Sequence, residues 1–142
     1  MTRVLTVGVF DLFHVGHLNL FRRAKAHGDY LIVAVHDDKR KTKGKDFCFD
    51  ILERTSLIKE LRLVDEVVVY ERVDLLVEKV DFAVFCYGPD QNHVYFERAF
   101  AYCRRLGKKL VCLDRTPGVS STIIGEFIEY QRRHEDEGRF YS

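Results

Sequence analysis

No sign of charge dominates this sequence: 23 lysines and arginines stand against 22 aspartates and glutamates, a formal net charge of +1. A chain so balanced sets up no general basic field for nucleic acid, so any anion site has to be a local cluster. A CxxC pair is also missing, and the four cysteines, Cys48, Cys86, Cys103 and Cys112, are scattered. Cys86 and Cys112 stand in apolar runs, where a free thiol packs as a small hydrophobe, so reduced structural cysteines in a reducing compartment are expected. No run reaches the ~18 apolar residues of a membrane span. No apolar signal segment precedes the first strand-like run at residue 3, and a cytoplasmic location is expected. Repeats, low-complexity tracts and linkers are lacking too. The expectation is one domain over residues 1–142, with a charged tail over 131–142.

What is present is ordinary globular material, 46% hydrophobic and 32% charged, in a chain long enough to bury roughly two-thirds of its unfolded surface. Short β-rich runs alternate with helical ones. Residues 4–10 (VLTVGVF), 30–35, 64–70, 82–87 and 109–113 read as five strands. Between and after them, residues 15–28, 51–63, 73–79, a stretch ending near Leu106, and 121–133 carry helical spacing. Gly28 and Gly107 stand where helices stop. The strands are too uniformly apolar for a wet face, which predicts an α/β fold: a Rossmann-like three-layer α/β/α arrangement around a five-stranded parallel sheet.

Open parallel sheets bind ligands beyond the carboxyl ends of their strands. The chemically unusual residues fall there: Gly8 to His17 after the first strand, a lysine-rich loop after the second, Gly88-Pro89-Asp90 after the fourth, and Arg115 to Thr122 after the fifth. Four polar segments distant in sequence are thereby expected to converge on one edge.

Within GVFDLFHVGH, residues 8–17, Gly8 keeps a Cβ away from a ligand at the strand end. His14 and His17 lie three apart at a helix start, on one side of its first turn. That turn offers free N–H groups and a positive dipole to a phosphate, and Gly16 leaves room for it. A pair of surface histidines is one alternative and a zinc site another, although no further Cys or His stands at ligand spacing. The loop KRKTKGKD, residues 39–46, is either a solvated loop or a clamp on polyphosphate, with Lys43 and Lys45 nearest the following helix. In that helix Arg54 and Arg62, eight apart, fall roughly on one face. Each is either an ordinary exposed arginine or a bidentate partner for an acceptor phosphate. RTPGVSST, residues 115–122, places Arg115 beyond the fifth strand and Ser120, Ser121 and Thr122 at a helix start. Capping needs one such hydroxyl; three with an arginine make a second anion site facing the first.

HVGH at 14–17 and RTPGVSST at 115–122, in this order and spacing, resemble the two signatures of the HxGH-motif cytidylyltransferase-like nucleotidyltransferases. The likeness runs from about residue 4 to 128, includes RLVDEVVVY, and is greatest to the family's small glycerol-3-phosphate cytidylyltransferases. It implies a homodimer and a magnesium-dependent transfer of CMP from CTP to a phosphorylated small alcohol or polyol, with pyrophosphate released. It implies that His14 and His17 hold the triphosphate and stabilise the pentacoordinate phosphorus, and that Lys43 or Lys45 bridges substrate and nucleotide phosphates. Arg115 would neutralise the leaving pyrophosphate, while Ser120, Ser121 and Thr122 hold its two phosphates. Gly8, Val9, Phe10, Gly16, Gly88, Asp90 and Thr116 would line the nucleotide, and Asp11, Lys43, Arg54 and Arg62 the acceptor. No dedicated protein ligand set for the magnesium is identified. Two departures bear on substrate. Val9 replaces a usual threonine, and Gly88-Pro89-Asp90-Gln91 replaces the Gly-Asp-Asp-Trp type of segment. Gly-x-Asp-Gln is similar to archaeal FAD synthetases of the same superfamily, so an ATP-dependent adenylyltransferase is the alternative.

Overall fold

The computed structural model describes residues 1–37 and 49–114. Nine elements follow in the expected alternation: β1 (Arg3–Gly8), α1 (Val15–Lys25), β2 (Tyr30–His36), α2 (Ile51–Lys59), β3 (Glu66–Tyr70), α3 (Val73–Lys79), β4 (Val84–Tyr87), α4 (Val94–Arg105) and β5 (Lys109–Cys112). The helix expected over 121–133 lies outside the described residues.

All five strands are parallel, in the order β3-β2-β1-β4-β5. The order reverses between β1 and β4, because the chain first builds outward through β2 and β3 and then returns to the other side of β1. Strand alternation sorts the core into two layers. Val4, Leu31, Val33 and Val35 face α1 and α2 through Phe21, Ala24 and Ile58. Leu5, Val7, Ile32 and Ala34 face α3 and α4 through Leu76, Val77, Phe96 and Phe100. Each fully buried aliphatic or aromatic side chain of this kind contributes about 1.5–3 kcal/mol. Continuous burial holds for the inner strands only. The edge strands β3 and β5 are partly exposed. Accordingly Cys112 is exposed, contrary to the expectation that it packs inside, while Cys86 and Cys103 are buried. Burial pushes the Cys86 thiol up to about 12.

Strand ends differ from the sequence reading by one or two residues, and two helix ends differ by more. α1 ends at Lys25, with Ala26 as its cap, so Gly28 is not the residue that stops it. Gly28 is required for another reason: a Cβ there would stand 2.5 Å from the Thr2 carbonyl oxygen and 2.6 Å from Val4 Cγ2. α2 closes at Lys59 with Glu60 as its cap, leaving Arg62 beyond the helix. Arg54 and Arg62 therefore do not share a helical face.

Candidate active site

At the switch point β1 stays paired with β2 as far as Gly8↔Val35 but with β4 only as far as Thr6↔Cys86. The two inner strands part beyond that register, and the crevice between their carboxyl ends is where such sheets receive ligands. The segments after β1 and β4 border it.

The first is a tight loop leading into α1. Phe10 and Leu12 have φ of 54° and 49°, in the left-handed region that costs a non-glycine residue about 1 kcal/mol. Burial holds them there. Phe10 is 5% exposed and packs edge-on against Phe21 and His17, with centroids 5.1 and 5.4 Å apart. Its ring also fills the space over Gly8, with Cζ 2.8 Å from where a Cβ would stand. The room expected over Gly8 for a ligand is thus taken by the protein's own Phe10.

His14 is the N-cap of α1. Its Nδ1 accepts from the Gly16 amide at 3.0 Å, and His17 Nδ1 accepts from the His14 amide at 3.2 Å. Imidazole here does the work usually given to a serine or aspartate cap. The chemical consequence is specific. A ring nitrogen that accepts a hydrogen bond carries no proton, so each neutral ring bears its proton on Nε2 and becomes a donor there. The two rings stack with centroids 3.9 Å apart and planes 24° apart. Two imidazolium ions at that separation would repel, and burial alone already lowers the His14 pKa. Two donors on stacked rings beside a helix N-terminus suit an anion that gains charge during reaction. They are poor metal ligands, since their remaining nitrogens are protonated. Among the described residues no group of three His, Cys, Asp or Glu side chains is placed to hold a metal ion.

Arg54 is 3% exposed. Its Nε donates to the Phe49 carbonyl at 3.0 Å, and Nη1 donates to Val9 at 2.9 Å and His36 at 2.7 Å. One guanidinium thereby ties the ends of β1 and β2 to the entry of α2. Desolvation lowers its pKa, opposed by the nearby Asp11, Asp37 and Asp50 carboxylates. Asp11 reinforces the tie by accepting from the Phe49 amide at 2.9 Å. Sequence reasoning put Arg54 and Asp11 at the acceptor; in the fold both hold the backbone of the carboxyl edge. Arg62 is exposed, outside this network.

After β4, Gly88-Pro89-Asp90-Gln91 forms a turn closed by the Gln91 amide donating to the Gly88 carbonyl at 3.1 Å. Pro89 at its second position is preset for such a turn. Asp90 is exposed at its third position. Lys43, Lys45, Arg115, Thr116, Ser120, Ser121 and Thr122 lie outside the described residues. Of the expected convergence, the segments after β1 and β4 border the crevice, and Arg54 and Asp11 draw in the end of β2 and the entry of α2. The arginine's role was hidden in the sequence, because burial of a helix arginine depends on what packs over it.

The chain matches the family model described as cytidylyltransferase-like over residues 5–127. It is 37% identical over 128 residues to the glycerol-3-phosphate cytidylyltransferase of Staphylococcus aureus, covering 87% of this chain and 92% of that one. It is 38% identical over 127 residues to the FAD synthase of Pyrococcus abyssi, covering 86% and 78%. Among solved structures, the lipopolysaccharide core biosynthesis protein of Thermoplasma volcanium superposes with a TM-score of 0.68 at 30% identity, over 82% of this chain and 97% of that one. With the paired imidazoles at the switch point and the family model spanning most of its length, the chain belongs to the cytidylyltransferase-like family of nucleotidyltransferases.

Proposed function

We propose that the protein transfers CMP from CTP to a phosphorylated small alcohol or polyol of the glycerol 3-phosphate kind. An oxygen of the acceptor phosphate attacks the α-phosphorus in line. The new P–O bond forms as the bond to the β-phosphate oxygen breaks, and pyrophosphate leaves. The acceptor phosphate is already ionised near neutral pH, so no general base is needed. Catalysis then consists of positioning and charge neutralisation. The observation that carries this reading is the stacked His14–His17 pair, with both Nδ1 atoms committed to backbone amides. Each Nε2–H donates to the α- or β-phosphate oxygens as charge grows on them, and the N-terminus of α1 adds its dipole.

The triphosphate would enter as its magnesium complex, the ion supplying charge neutralisation as part of the substrate. Lys43 or Lys45 and Arg115, with Ser120, Ser121 and Thr122, complete the site on the family resemblance, and Thr116 lines the nucleotide. Homodimerisation and a cytoplasmic location belong to the same proposal. Among the described residues no helix is long and apolar enough to cross a membrane.

A second reading is an ATP-dependent adenylyltransferase, favoured by Gly88-Pro89-Asp90-Gln91 and by FAD synthase relatives of similar identity. One experiment separates them. Thermal shift with CTP, ATP, GTP and UTP plus magnesium should show CTP as the single strong stabiliser, since a ligand at a hundred times its Kd adds about 2.7 kcal/mol. Pyrophosphate release would then be screened over glycerol phosphate, ribitol phosphate, phosphocholine, phosphoethanolamine and FMN. Stabilisation by ATP with turnover of FMN would replace the first reading by the second, and an equal response to all four nucleotides would sink both.

A further inference from the structure

We infer that Gln91 is a positioning residue that holds the crevice open, acting as a peptide-like spacer between β1 and β4. The inference rests on the nucleotidyl-transfer reading but not on which nucleotide or acceptor is used. The side-chain amide of Gln91 accepts from the Gly88 amide through Oε1 at 2.9 Å and donates to the Val7 carbonyl through Nε2 at 3.0 Å. Val7 and Gly88 lie one and two residues beyond the last matched pair of the two strands, Thr6↔Cys86. A side chain has therefore been inserted at the point where these strands part. It supplies an acceptor to one strand and a donor to the other, as a backbone peptide group would.

The turn makes this possible. Its closing bond brings the Gln91 backbone N–H to the Gly88 carbonyl, so the residue grips both polar backbone groups of Gly88, one with its main chain and one with its side chain. Only a side chain with an acceptor and a donor on one planar group, long enough to cross to β1, meets both demands. Val7 is the next-to-last residue of β1, from which the loop with Phe10 leads to His14 and His17 at the start of α1, so the spacer sets the distance between the imidazole donors and the turn holding Asp90. Gln91 touches neither substrate nor reacting atoms in this role. It acts through the separation of two strand ends, and a misplacement of about 1 Å in such a site costs on the order of a hundredfold in rate.

The test uses Gln91→Ala and Gln91→Glu in the full chain, with kcat and KM for the magnesium–nucleotide complex, nucleotide affinity by calorimetry and thermal midpoints. Gln91→Ala should lower kcat/KM about a hundredfold, chiefly in kcat, while the midpoint falls by only a few degrees. Gln91→Glu keeps the acceptor for Gly88 but turns a carboxylate oxygen towards the Val7 carbonyl. The Asp90 carboxylate of the same turn raises the new group's pKa further above its ordinary value of about 4.3. When protonated, this carboxyl matches the amide in shape and donates again. Its activity relative to wild type should therefore rise at least fivefold on acidification from about pH 8 to about pH 6. If Gln91→Ala does not fold, Gln91→Glu carries the test. Wild-type kinetics in Gln91→Ala, or no acid recovery in Gln91→Glu, overturns the inference while leaving the transferase reading intact. A wild-type protein that binds no nucleoside triphosphate overturns both.

Discussion

The two ends of the parallel sheet are built from similar polar side chains but use them differently. At the amino end ion pairs stand beside bonds from side chain to backbone. Arg3 lies over the Tyr30 ring and bonds Glu66 at 3.2 Å and the Asp81 carbonyl at 2.8 Å. Lys25 meets Asp65 at 2.7 Å, and Asp65 also accepts from the Leu31 amide. At the carboxyl end an ion pair joins Arg72 to Asp74 at the start of α3, but the side chains around the crevice bond backbone: His14 and His17 to amides, Arg54 to three carbonyls, and Gln91 to one of each. Ion pairs fasten strand starts and need no particular loop shape. Bonds from side chain to backbone define loop shape, and in the histidines they also fix which ring nitrogen carries the proton. One end is fastened and the other is preorganised.

That contrast breaks most visibly at the histidines. His17→Ala should lose on the order of a thousandfold in kcat, while the unfolding free energy falls by only about 1 kcal/mol for the lost cap partner. Pyrophosphate release and a denaturant melt on the same preparation check both. A large loss of stability with residual turnover unchanged would make the pair a structural cap and nothing more.

Arginine 54 and aspartate 65 sharpen the comparison, one from each end. Arg54→Ala leaves three carbonyls without their shared donor and should cost roughly 3 kcal/mol of stability. Activity should fall with it, because the ends of β1 and β2 lose their tie. Arg54→Lys should rescue little, since an ammonium cannot reproduce the forked contacts. Asp65→Ala should cost about 1–2 kcal/mol and leave kcat/KM of the folded fraction unchanged. Equal effects of the two ends on kcat/KM would erase the distinction.

Much of this architecture was legible in the residues. β1, β2 and β4 have apolar residues on both faces, so their runs stood out, and α3 was placed at its observed limits. The sequence could not reveal that α2 stops at Lys59, because apolar positions continue through Leu61, Leu63 and Val64 in the turns that follow. Those residues pack against the core layer beneath α1 and α2, and periodicity does not distinguish a helix from packed turns. The HVGH pair was legible as a candidate site at a helix start, but not its ring chemistry, which depends on two backbone amides. Arg54 read as either an exposed helix arginine or a phosphate ligand, and its burial was not legible because helical spacing does not report what packs over a residue. Gln91 read only as a hint about the base. The available signal was a Gly-Pro-Asp turn after a strand, which returns its fourth residue to the strand end with an amide in reach.

The histidine pair can serve as cap and phosphate donor together only if both rings carry their proton on Nε2. Nitrogen-15 NMR of the histidine side chains, followed through a pH titration with and without magnesium–CTP, measures this directly. The prediction is that His14 and His17 are neutral at pH 7 with the proton on Nε2, and that nucleotide shifts both Nε2 resonances. His14 should protonate below its ordinary value of about 6.5. Because the unfolded chain then takes up that proton first, stability should decline from about pH 6.5 downward. A proton on Nδ1 of either ring, or a charged pair at pH 7, would contradict the account.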